Sequence, residues 1–275
     1  MDASLTAHAA DSYLQVNGAH LRYRDEGRGP PVIFVHGWTL DLDMWEPQIA
    51  ALAASFRIIR LDRRGFGMSS GRASLTNDLD DLKALCAHLG LPLVAMVGMS
   101  QGARVVLEYA QRWPTTLSSL VVDGPPQMHP DGVQDIPYPA YCALARDHGV
   151  EAFRREWSQH PLARLRTQER SASELLTRMI ARYPGNDLMQ ILAEAPPALP
   201  WSPGKVCVPA LVLTGEFDLS SRQAFADDLA SQLPMAERAH IPAAGHLCNL
   251  DNSSAYNVLV GSFLARTLHT AFNQE

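Results

Sequence analysis

The chain predicts an α/β fold: a mostly parallel central sheet with helices on both faces and an inserted helical lid. Three observations carry that expectation. Short, wholly apolar runs alternate with helical patterns, and strands that are apolar throughout belong to parallel sheets covered on both sides. The pentapeptide Gly98-Met99-Ser100-Gln101-Gly102 stands between one such run and a helical pattern. Two proline clusters, Pro125 to Pro139 and Pro196 to Pro203, frame a stretch that holds helical patterns only.

The first element is a hairpin. Tyr13-Leu14-Gln15-Val16 and His20-Leu21-Arg22-Tyr23 flank Asn17-Gly18, the dipeptide that tight hairpin turns favour because both central residues need positive φ. Val32-Ile33-Phe34-Val35 is the next strand, and a helix around Trp45 to Ala54 leads to a strand at Arg57 to Leu61. Between Asn77 and Leu89, the residues Leu79, Leu82, Leu85, Cys86 and Leu89 share one helical face, and Gly90 supplies the stop. Leu93 to Val97 forms a buried strand. Arg104, Val105, Val106, Leu107 and Tyr109 form a helix that ends near Pro114. Leu120-Val121-Val122 and Ala210-Leu211-Val212-Leu213 are later buried strands. An apolar run from Ala239 to Pro242 follows, and Asn252 to Thr267 is a closing helix.

The stretch between the prolines breaks the alternation. Phe153 and Trp157 lie four apart on one helical pattern, which ends near Pro161. Leu175, Leu176, Met179, Ile180 and Tyr183 form a stripe on another, and Ser171 and Glu174 have capping-box spacing at its start. The expected division is a core of residues 1–126 and 205–275 with a helical lid, 127–204, inserted between two core strands.

Composition narrows the function classes. A chain of 275 residues, 47% hydrophobic and 19% charged, can bury a large core. Its formal net charge of -6 argues against nucleic acid as the main partner, because phosphate binding needs clustered Lys and Arg. No apolar run is long enough to cross a membrane. Met1 to Ser12 carries no basic and apolar signal pattern, so a cytoplasmic address is expected. Cys86, Cys142, Cys207 and Cys248 are scattered and read as thiols in a reducing compartment, not as a disulfide frame or zinc site. Nothing in the sequence marks a particular oligomeric state.

Gly-x-Ser-x-Gly at a strand-to-helix corner is the pattern of a nucleophile elbow. The turn is so tight that side chains beside the serine would clash, hence the glycines. The corner lifts the hydroxyl to the rim of the sheet, at a helix N-terminus that favours developing negative charge. A serine hydroxyl is a weak nucleophile at neutral pH, so Ser100 needs a base, and the base needs an orienting acid. Ten histidines compete for the first role; His246 alone occupies a glycine-preceded loop, Ala244-Gly245-His246, after a late strand. Asp218 follows the strand 211–213 in a polar loop, where ligands bind in open α/β folds. Glu216, two residues away, and Asp123, which also ends a core strand, are rivals for the acid.

An oxyanion hole needs two more donors. The backbone N–H of Gln101 directly follows the nucleophile, and the loop His36-Gly37-Trp38 offers the backbone N–H of Trp38. His36 reads as a structural residue that holds this loop. Asp62-Arg63-Arg64-Gly65-Phe66-Gly67 narrowly misses a dinucleotide fingerprint and reads as a structural turn with satisfied arginines. Met99, beside the nucleophile, and Trp157, in the lid, are candidates to line an apolar pocket, with plain core as the alternative. No His/Glu spacing suggests a catalytic metal, and no cofactor is expected.

Taken in order, His36-Gly37-Trp38, Asp62 to Gly67, Gly98 to Gly102, Gly215-Glu216-Phe217-Asp218 and Gly245-His246 resemble the α/β-hydrolase superfamily over nearly the whole chain, including its order Ser, Asp, His. Asp41 to Gln48 and Ala244 to Leu250 resemble 3-oxoadipate enol-lactonases and related carboxylesterases, although those lactonases usually have Ser-Met-Gly-Gly where this chain has Ser100-Gln101-Gly102-Ala103. Other branches fit less well. Epoxide hydrolases and haloalkane dehalogenases use an aspartate nucleophile. Carbon–carbon bond hydrolases usually carry His-Gly-x-Gly-Pro-Gly, and cofactor-free perhydrolases have proline where Thr39 stands. The resemblance implies a serine hydrolase cleaving a small ester or lactone, with Ser100, His246 and Asp218 as triad. Alternatives are a ligand-binding receptor of the same fold with slow turnover, or a carbon–carbon bond hydrolase.

Overall fold

The computed structural model describes residues 10–127, 135–190 and 201–272. Its centre is an eight-stranded sheet in the order β1-β2-β4-β3-β5-β6-β7-β8. β1 (Ser12–Val16) and β2 (Ala19–Glu26) form the expected hairpin, with Asn17 and Gly18 at φ +45° and +74°. β2 also pairs antiparallel with β4 (Arg57–Leu61). From there every pairing is parallel, through β3 (Pro31–Val35), β5 (Val94–Met99), β6 (Leu117–Asp123), β7 (Ala210–Gly215) and β8 (Ala236–Ile241).

Alternate residues of each strand serve opposite faces. Val32 and Phe34 enter one core with Trp45, Tyr256 and Phe263, while Ile33 and Val35 enter another with Leu82, Val106 and Leu229. The first core is roofed by α1 (Glu46–Leu52) and α9 (Ser253–Phe272). The second is roofed by α2 (Leu75–His88), α3 (Gln101–Arg112) and α8 (Ser220–Gln232). Helices on both faces leave the C-terminal edge of the parallel strands as the open side, where a site can form.

Among the described residues, four α-helices lie between β6 and β7: α4 (Tyr138–His148), α5 (Val150–Trp157), α6 (Arg170–Arg182) and α7 (Asn186–Met189). Their inward residues Tyr141, Phe153, Trp157, Leu176 and Met179 join the core that holds Phe34 and Trp38. These helices form a cap whose side chains merge with the first core. The bounds 127 and 204 of the inserted lid adjoin residues 128–134 and 191–200, which lie outside the described ones, with the prolines of those stretches.

One local reading needs correction. α6 starts at Arg170 with Glu169 before it and no side-chain cap, so Ser171 and Glu174 make no capping box. Glu174 instead pairs with Arg170 one turn away. The segment 220–232 is a helix although its sequence shows little apolar periodicity; only Phe225, Ala226 and Leu229 among its apolar residues are fully buried. Among the described residues, no helix is long and apolar enough to cross a membrane, and all four cysteines are free thiols.

Candidate active site

Ser100 sits where β5 ends and α3 begins, at φ +52° and ψ -115°, a left-handed conformation that costs a non-glycine residue and that persists only where the surroundings impose it. The surroundings here are close. A Cβ on Gly98 would lie 2.4 Å from the Gly102 carbonyl oxygen, and one on Gly102 would lie 2.2 Å from that of Val35. The Ser100 amide donates to the Asp123 carbonyl at 2.7 Å, tying the corner to the end of β6. Gln101 is the first residue of α3, so its N–H is one of those that helix geometry leaves without an intrahelical partner.

The loop after β3 runs against this corner. A Cβ on Gly37 would meet Met99 Sδ at 2.8 Å and Ser100 Cβ at 3.4 Å, so a side chain there would have to displace that of Met99. His36 holds the loop as expected. Its Nε2 accepts from the Arg63 amide at 2.8 Å, which leaves Nδ1 as the donor to the Gly37 carbonyl at 2.7 Å. Burial, with the Arg63 charge nearby, pushes its pKa down to about 3. The following turn is structural too: Arg63 pairs with Asp78 at 2.7 Å and Arg64 with Asp81 at 2.5 Å.

Asp218 and His246 are brought together by the loops after β7 and β8. Phe217 donates its amide to the Ala244 carbonyl at 2.8 Å, which zips the two loops. The Gly245 amide donates to Asp251 at 2.8 Å, fixing the turn before the histidine. His246 Nδ1 then lies 2.9 Å from Asp218 Oδ2. Burial alone would raise the Asp218 carboxyl, but the His246 interaction, the Leu219 amide and the Arg222 charge outweigh it and hold the pKa below the ordinary value. A carboxylate on Nδ1 fixes the tautomer with the lone pair on Nε2. That Nε2 is buried and has no hydrogen-bond partner among the described residues.

The rival acids are occupied elsewhere. Glu216 accepts from the Ala243 amide at 2.8 Å. Asp123 is fully buried, accepts from the Cys248 thiol at 3.1 Å, and burial raises its pKa well above the ordinary value.

One cavity, with about 330 Å³ of empty volume, is lined by Ser100 and His246 together. Trp38 borders it, as do Met99 and Trp157, the two residues expected to contact a ligand. Thr39, Leu162, Leu176 and Leu247 complete much of the wall and were not anticipated. Leu176 belongs to a stripe that reads equally as core, and Leu247 is marked only by its place beside His246. His246 is the one ionisable side chain among the lining residues.

Comparisons with known proteins bear on the fold. A family model described as alpha/beta hydrolase fold matches residues 30–141. A non-heme haloperoxidase of Rhodococcus erythropolis is 40% identical over 101 residues, 35% of this chain and 36% of that protein. The chain spans a third to a half of the length of the curated relatives it matches first. Among solved structures, a thermophilic esterase from Thermogutta terrifontis superposes with a TM-score of 0.79 at 27% identity, over 94% of this chain and 99% of the esterase. The enol-lactonase from Burkholderia xenovorans LB400 superposes with a TM-score of 0.76 over 92% of this chain and 100% of that one; at 23% identity it supports the fold alone.

Proposed function

Because the chain is a member of the α/β-hydrolase superfamily, we propose that it is a serine hydrolase cleaving a small, uncharged carboxylic ester or lactone through an acyl-enzyme. One observation carries the reading: a serine on a strained elbow shares a cavity with a histidine whose Nδ1 is held by a buried carboxylate. Ser100 Oγ attacks the carbonyl carbon, and His246 Nε2 takes the hydroxyl proton. Asp218 accepts from Nδ1 and stabilises the imidazolium that forms. The amides of Trp38 and Gln101 hold the oxyanion. Collapse of the tetrahedral adduct breaks the ester C–O bond, and His246 returns the proton to the leaving oxygen. Water then attacks the acyl-enzyme with His246 again as base, and Ser100 is regenerated. Ser100 Oγ makes no hydrogen bond to Nε2 in the free protein; such contacts commonly tighten only when substrate binds.

The cavity supports the substrate class. Among the described residues, its wall of Trp38, Met99, Trp157, Leu162 and Leu176 offers no cation to a substrate carboxylate, which would lose hydration without gaining a partner. A carboxylate-bearing lactone is therefore a poorer fit than an uncharged ring or ester.

The test is turnover of p-nitrophenyl acetate and butyrate, and of a p-nitrophenyl ester whose acyl chain ends in a carboxylate, by wild type and Ser100→Ala. We expect wild type to prefer the uncharged esters at least tenfold in kcat/KM, and the variant to show no turnover above buffer. Equal turnover by both proteins would overturn the serine mechanism, and a preference for the charged ester would overturn the substrate class.

A further inference from the structure

We propose that Asp187, on α7 of the cap, is a positioning residue for the oxyanion hole, acting through the indole of Trp38; this rests on the reading of the Trp38 amide as an oxyanion donor. Trp38 Nε1 donates to Asp187 Oδ2 at 2.7 Å. The Tyr183 hydroxyl donates to the other carboxyl oxygen, and the Tyr138 hydroxyl donates to the Asp187 backbone carbonyl at 3.0 Å. Asp187 is thus a buried acid whose side-chain contacts go to an aromatic cluster rather than to a cation.

The setting explains why such a group is worth its burial. Trp38 comes from the core, but rings of α4, α5 and the segment after α6 surround it: Tyr141, Phe153, Trp157 and Tyr183 stand with centroids 4.9 to 6.3 Å away. Apolar packing alone fills such a space without fixing which way an indole N–H points. A single buried hydrogen bond fixes it, because the N–H left unpaired there would cost about 1–3 kcal/mol. The next residue is tied in the same way. Thr39 sits at φ +64°, an unfavourable conformation for a β-branched residue, and its hydroxyl accepts from Trp157 Nε1 at 2.7 Å.

Two successive residues of the oxyanion loop are therefore bonded to the cap and not to the sheet. The amide between their carbonyl groups and Gly37 belongs to the same rigid turn, so the indole tether sets where the Trp38 N–H points. Catalysis through that amide is sensitive to placement, since misplacement by about 1 Å can cost ~10²-fold in rate.

The experiment compares Asp187→Ala, Asp187→Asn, Trp38→Phe and the double variant Trp38→Phe/Asp187→Ala on p-nitrophenyl acetate, with active sites counted by phosphonate titration. Asp187→Ala and Trp38→Phe each remove the indole bond while leaving the Trp38-position amide in the chain. We expect each to lower kcat per active site at least tenfold with KM changed less than threefold. The double variant should lose no more than either single one, because both remove the same interaction. Asp187→Asn should stay within threefold of wild type, since its carbonyl can accept from the indole and its NH₂ can donate to the Tyr183 oxygen. A merely structural role would lower the fraction of titratable sites and leave kcat per site unchanged, and that result would overturn the proposal. If Asp187→Ala does not fold, Trp38→Phe alone decides, and an unchanged kcat per site there overturns it too. Failure of the serine reading is separate: wild type itself would then give no titratable site.

Discussion

Asp218 and Asp123 both follow core strands toward the same sheet edge, yet their surroundings push their pKa values in opposite directions. Asp218 is stabilised as a carboxylate by His246, the Leu219 amide and Arg222. Asp123 is buried, near the charge of Asp218, with a thiol as its hydrogen-bond donor, and its pKa is driven well upward. Of the two, only Asp218 lies against His246 Nδ1, where it can orient and stabilise an imidazolium. Asp218→Asn is expected to lower kcat on p-nitrophenyl acetate ~10³–10⁴-fold, the scale seen when a triad acid is made neutral. Asp123→Asn is expected to lower it less than tenfold. A larger loss in Asp123→Asn would show that the acid has been misassigned. The sequence ranked these two residues by position after a strand, and position was equal for both in kind. What separates them is which loop meets the Gly245-His246 turn, a contact between segments nearly thirty and more than a hundred residues apart.

At the scale of elements, the loop after β3 is held to the loop after β4 by His36, and that tie is pH-sensitive. The folded chain keeps His36 neutral down to about pH 3, against an ordinary value of 6.5. Below pH 6.5 the unfolded chain therefore binds a proton that the folded chain does not, and stability falls as pH falls, by about 1.4 kcal/mol per unit. The contribution is intact above pH 6.5 and is lost progressively toward pH 3. In urea unfolding, wild type should lose ~2 kcal/mol more than His36→Gln between pH 7.5 and pH 5.0. Equal losses in the two proteins would contradict the assignment.

Elements with strong local signals were legible. Asn17-Gly18 marked the hairpin, and the wholly apolar runs at 32–35, 120–122 and 210–213 marked buried parallel strands because both their faces are covered. Elements with weak signals were not. α8 offers its core only a few apolar side chains and also buries Arg222, which pairs with Asp135. α4 begins at Tyr138 with Pro139 in its first turn, where proline is tolerated because that N–H needs no helical partner; read as punctuation, the same proline hides the helix it starts. β8 is an edge strand whose residues over Ala236–His240 are half-buried or exposed, so only its last apolar residues stand out.

At the scale of the whole molecule, cap and core share one hydrophobic interior, and polar ties reinforce it. Arg182 of α6 bonds Asp41 at 2.6 Å and Asp43 at 2.5 Å in the loop leading to α1. With Trp38 to Asp187 and Trp157 to Thr39, the segment 38–43 is bound to the cap at four residues. None of this was readable beforehand, because it depends on where inserted helices come to rest rather than on any local pattern. The candidate site was legible because Ser100, Asp218 and His246 each sit at the end of a strand or in the loop that follows it, and a parallel sheet delivers all such ends to one edge.

The most direct measurement is labelling by a fluorophosphonate, followed by mass analysis of the intact chain and its peptides. A single adduct on Ser100 is predicted, absent from Ser100→Ala and slowed at least ~10²-fold in His246→Ala, since the hydroxyl depends on the imidazole for activation. An adduct on another residue, or labelling of Ser100→Ala at the wild-type rate, would contradict the convergence of these residues on one chemical task.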